Sequence, residues 1–217
     1  MTDQVTGDVH GPIRTERGLE RLIFFSDAVV AIAITLIVLP LVDSAREVAA
    51  TSTAKFLSEN SYALTAALVS FVVISSFWRE HHRLFERATG YTPLLVRINM
   101  LWLLCIVALP LATVLEVYSH RGDRLAIGIY LGAMIGAMSL SRLAELVLYR
   151  AKLLADAAQV TGTDIAVRWI SVVTVCFALV IAISVPRVGL WSLLLWIIAG
   201  PVERLVRPRS KPHQPAE

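Results

Sequence analysis

The chain of 217 residues is 56% hydrophobic and only 17% charged, with a mean hydropathy of +0.67. That balance excludes an ordinary soluble domain of this length and points to a protein embedded in a bilayer. The formal net charge of +3 and pI of about 9.1 read as a topology signal and not as a nucleic-acid footprint. Cys105 and Cys176 each lie inside an apolar run, where a thiol behaves as a small buried hydrophobe and not as part of a disulfide framework.

Crossing a hydrocarbon core takes about 20 apolar residues in a helix. Residues 1–15 are polar and read as a solvated tail. Six stretches then qualify as spans: Leu22 to Val42, Tyr62 to Trp78, Ile98 to Tyr118, Leu125 to Tyr149, Val167 to Val185 and Gly189 to Val206. Together they predict an all-α integral membrane domain over 16–207, followed by a second solvated tail, 208–217. The first run exceeds a secretory h-region and no small-residue cleavage pattern follows it, so it reads as a retained helix.

Orientation follows from the basic residues, which are enriched on the cytoplasmic side of short loops. With the N-terminus inside, Arg14, Arg17 and Arg21, then Arg79, Arg83, Arg87 and Arg97, then Arg142, Arg150, Lys152 and Arg168, and finally Arg204, Arg207, Arg209 and Lys211 fall on the inner side. Arg46, Lys55, Arg121, Arg124 and Arg187 fall outside. Both termini are therefore expected in the cytoplasm of a multi-pass protein of the cell membrane.

The first span, "RLIFFSDAVVAIAITLIVLPL" from Arg21 to Leu41, carries a carboxylate where one is costly. At about 100° per residue, Ala28, Thr35, Leu36 and Leu39 lie within about 60° of Ile32, whereas Asp27 lies about 140° away. Arg21 and Asp27 are about 120° apart, so they do not form a simple pair on one face. The second span ends in "SSFWREHHRLF", which offers Trp78 and His82 at i,i+4 spacing. An indole N–H or an imidazole there is expected to donate to Asp27; the alternative is a Trp78 of an interfacial aromatic belt, with His81 and His82 in water. In the third span Pro110 is a point of possible kinking. In the fourth, Gly132 and Gly136 stand at the G-x-x-x-G spacing of closely packed helices. Glu116, Arg142 and Glu145, near helix ends, are expected at the interface.

Arg21, Phe25, Ser26 and Asp27 spell R-x-x-x-F-S-D at the start of the first span. This resembles the signature of the transmembrane protein 175 family of potassium channels, whose prokaryotic members carry one six-helix repeat. No second copy occurs here; "SRLAEL" in the fourth span lacks the aromatic and the serine. The resemblance implies a homotetramer around a pore made by the first helices, with the narrowest ring at Ile32, Leu36 and Leu39 close by, and Thr35 the stripe's only side-chain oxygen. Arg21, Phe25, Ser26 and Asp27 then hold the helix, with Trp78 or His82 as their partners. No T-V-G-Y-G filter is present, so rings of Ile and Leu that gate by dewetting replace it. The implied partners are further copies of the chain, the bilayer and permeant potassium ions, with no nucleic acid, metal or cofactor. A secondary transporter using Asp27 as a coupling carboxylate is the alternative, and the lack of H-E-x-x-H or G-x-S-x-G argues against an enzyme.

Overall fold

The computed structural model describes residues 15–47, 52–119 and 123–155, together with 169 and 172–173. Among these the elements are helical throughout: α1 (Glu16–Leu36), α2 (Leu39–Glu47), α3 (Thr53–Glu59), α4 (Ser61–Glu86), α5 (Pro93–Tyr118) and α6 (Arg124–Arg150). Four stretches are long and apolar enough to cross a membrane, namely Glu16–Arg46, Ser61–Glu86, Pro93–Tyr118 and Arg124–Arg150. They correspond to the first four expected spans. The fifth and sixth, Val167 to Val185 and Gly189 to Val206, and both tails lie outside the described residues, save for 169 and 172–173.

Each helix overruns its apolar run, because charged and polar residues near a helix end keep their side chains in water while the backbone stays hydrogen-bonded. α4 continues two turns past Trp78 to Glu86. α5 starts at Pro93 and not at Ile98: Pro93 opens it and the Thr92 hydroxyl accepts from the Leu95 N–H at 3.2 Å, a favoured use of proline and of a threonine cap. Pro110 does not end α5, which runs unbroken through it. The expected first span is instead interrupted, by a turn at Ile37 and Val38 between α1 and α2. Pro40 lacks an N–H and its ring displaces the carbonyl four residues earlier, at Leu36; the chain closes the gap with a tighter Val38 N–H to Thr35 carbonyl bond of 3.2 Å.

α5 packs most extensively against α6 and also contacts α1 and α4. One core cluster joins Val30, Ala33 and Ile37 of α1 to Ile74 and Phe77 of α4, Trp102, Ile106 and Leu109 of α5, and Met134 and Ala137 of α6; Val172 is buried in it too. A second cluster unites Leu19 and Leu22 with Leu84, Phe85, Leu95, Ile98, Ala144 and Leu148. The start of α1, the end of α4, the start of α5 and the end of α6 therefore share one end of the bundle. At that end the segments after α4 and α6 pair in a short antiparallel bridge, with Thr89 N–H to Leu153 carbonyl and Ala155 N–H to Arg87 carbonyl bonds of 2.9 Å. Lys152, in the left-handed region at φ 56°, closes α6 by letting Leu153 N–H reach back to the Leu148 carbonyl at 3.0 Å, as helix ends of this type do.

Candidate functional site

The signature residues divide between the two sides of α1. Leu19, Leu22, Ser26, Val30, Ala33 and Ile37 are buried, which is the i, i+3, i+4, i+7 pattern of a helix seated on its neighbours. Ile32, Leu36 and Leu39 are 59%, 41% and 54% exposed, and Thr35 beside them is exposed. Among the described residues this apolar stripe is left uncovered. The Thr35 hydroxyl donates to the Ile32 carbonyl at 2.8 Å, which fixes its orientation and leaves the lone pairs of its oxygen available to a cation.

On the opposite side Ser26 is fully buried. Its hydroxyl donates to the Leu22 carbonyl at 2.8 Å and accepts from Asn99 Nδ2 of α5, also at 2.8 Å. Asn99 Oδ1 in turn lies 2.8 Å from His81 Nε2 of α4. Because the amide nitrogen of Asn99 is spent on Ser26, its oxygen accepts and the His81 proton sits on Nε2. The imidazole is held between the rings of Phe85 and Trp102, each with centroids 4.3 Å away. Three helices meet at one buried asparagine.

Asp27, at the next position, accepts from Trp78 Nε1 at 2.9 Å. His82 does not reach Asp27; it stacks on Trp78 at 5.3 Å and pairs with Glu86 at 3.2 Å. His81, which the alternative reading placed in water, is only 4% exposed. Phe25 is 51% exposed and Arg21 is exposed as well; no described residue pairs with Arg21. Sequence reasoning missed Asn99, whose one signal is an amide standing inside an otherwise apolar span.

Other polar residues also find partners inside the bundle. Tyr62 donates to Glu116 Oε1 at 2.5 Å, and Ser70 joins α4 to Thr113 of α5 at 2.7 Å and Tyr130 of α6 at 3.3 Å. The expectation that Arg142 and Glu145 are interfacial is overturned: they are 7% and 1% exposed and engage ion pairs, because a charge that faces neighbouring helices is held by counter-charges and not by water. Of the two glycines, Gly136 is at close quarters, since a Cβ there would lie 2.9 Å from Cys105 Sγ, whereas at Gly132 nothing lies within 4 Å.

This architecture is that of a helical membrane protein with several spans, whose first long helix is fastened along one side and, among the described residues, uncovered along the other. Residues 21–110 match the family model described as endosomal/lysosomal potassium channel TMEM175, so the family likeness read from R-x-x-x-F-S-D holds over α1 to the middle of α5. The chain also superposes on the crystal structure of a lysosomal potassium-selective channel TMEM175 homolog from Chamaesiphon minutus, with a TM-score of 0.66 at 22% sequence identity, covering 87% of this chain and 99% of that one. At that identity the likeness establishes the fold. No curated protein matches.

Proposed function

We propose that this protein is a potassium-permeable channel, conducting along an axis lined by α1 and the start of α2 of four copies, with Ile32, Leu36 and Leu39 forming successive apolar rings. The observation that carries the reading is the bare stripe itself. α1 is anchored through Ser26, Asp27 and its buried apolar residues, yet among the described residues nothing covers Ile32 and Leu36, or Leu39 just beyond it. A pore needs such a face, because one helix encloses no pathway and symmetric copies must close it. Rings of Ile and Leu offer water no hydrogen bonds, so they set a dehydration barrier that widening relieves. The matched family model and the solved channel of the same fold support the choice of ion. Ser26 and Asp27 fix the helix through Asn99 and Trp78, and none of Arg21, Phe25, Ser26 and Asp27 ligates the ion; both termini face the cytoplasm of the cell membrane, as the arginine distribution favours. Asp27 is turned toward Trp78, which favours a holding role over that of a transporter's coupling carboxylate.

The test is electrical. Purified protein in a planar bilayer with a potassium gradient should give discrete unitary currents, and the conducting fraction should have the native mass of four copies. Slow flux strictly coupled to a second ion, without unitary events, would overturn the channel reading.

A further inference from the structure

Outside the signature, the bundle holds a cluster of charges between α4 and α6. Arg142 of α6 spreads its guanidinium between two carboxylates: Nη2 bonds Glu80 of α4 and Nη1 lies 3.4 Å from Glu145 Oε2. The other oxygen of Glu145 lies 3.7 Å from Arg87 Nη1, at the end of α4. The Arg142 side chain is 9% exposed and that of Glu145 2%, while those of Glu80 and Arg87 are 36% and 26% exposed. Glu80 and Arg87 are seven residues apart, two turns or roughly 10 Å along α4 on one face. α6 therefore grips α4 twice, although the two helices otherwise touch sparsely. Around the helix Glu80 stands about 160° from Trp78. One side of α4 is thus tied to α6 and the opposite side holds Asp27 of α1.

We propose that Glu80 and Arg142 are positioning residues for the α1 helix: a buried charge latch fixes α4 from behind, so that Trp78 and His81 stay in register with Asp27 and the Asn99–Ser26 bond. Buried charges are poor sources of net stability against an apolar replacement, so a retained cluster of this kind serves orientation better than bulk stability. Guanidinium suits the position because its planar fork serves two carboxylates at once, which an ammonium on a lysine stem does not. The effect of the latch on conduction rests on the proposed pore; its effect on α1 does not.

The experiment uses the full chain reconstituted in lipid, comparing Glu80→Gln, Arg142→Lys and the exposed-pair control Lys55→Gln. Amide hydrogen exchange is read over residues 22–30, and potassium flux is read per folded protein. Loss of a latch contact should speed exchange in 22–30 by about 5–30-fold in Glu80→Gln, with a smaller increase in Arg142→Lys, and Lys55→Gln should match the parent. Flux should fall in the same order. Faster exchange confined to α4 and α6, with 22–30 unchanged, would overturn the inference. Faster exchange in 22–30 with unchanged flux would support the latch and count against the α1 pore. Where Glu80→Gln fails to fold, Arg87→Gln at the other end of the cluster serves instead, with the same expected ranking and the same contradicting result.

Discussion

Asn99 and Trp78 each hold one residue of the signature, yet they differ in what replaces them when they are lost. Asn99 is 2% exposed and joins two buried partners. Truncating it to Ala strands the His81 N–H away from water, a penalty of about 1–3 kcal/mol before the cavity is counted. Trp78 is 38% exposed, so water can take its place on Asp27 when the indole N–H is removed, and the net bond contributes about 0.5–1.5 kcal/mol. Thermal unfolding in detergent should therefore show a larger fall in Tm for Asn99→Ala than for Trp78→Phe. The reverse order would mean that the outer bond, and not the buried junction, anchors α1. From the sequence alone, a donor to Asp27 from Trp78 or His82 was legible because a carboxylate in an apolar run demands one; which of the two reaches it was not. Asn99 and His81 were not legible as a pair, since nothing in a linear pattern says that an amide on one span meets an imidazole on another.

Among the elements, the four long helices were legible because apolar runs of bilayer length survive any detail of packing. Their ends were not, since hydropathy marks where side chains leave the hydrocarbon and not where the backbone stops being helical. The segment "SRLAEL" shows the same limit: Arg142 and Glu145 read as interfacial from their place near a helix end, and only the approach of α4 makes them buried partners. The glycines of α6 give a test at this scale. Gly132→Ala should be neutral or stabilising by up to about 1 kcal/mol, because alanine favours the helix and its methyl meets nothing in the described structure. Gly136→Ala sets that gain against displacement of Cys105 Sγ, so it should be the less stable of the two by thermal unfolding. A destabilised Gly132→Ala would show that a further helix, from this chain or from a second copy, rests on that face.

In the whole molecule, α1 carries two roles on two faces. The buried face and its signature residues decide where the helix stands, through α5 and α4 directly and through α6 by way of the latch. The bare face is what a proposed assembly of four copies brings to its axis. That division was legible from helical periodicity, which set Asp27 about 140° from Ile32; the turn before α2 was not, because the influence of Pro40 falls on residues before it. The central claim, that the Ile32 stripe faces the ion path, is met most directly by single-channel current for Ile32→Asn beside Ile34→Asn at matched reconstitution. Ile34 is two residues along, about 160° around the helix, and packs against the core. The account predicts that Ile32→Asn wets the narrow ring and raises the open-state current, while Ile34→Asn lowers yield or stability and leaves the unitary current as in the parent. Equal currents for the two variants, or no change from Ile32→Asn, would contradict it.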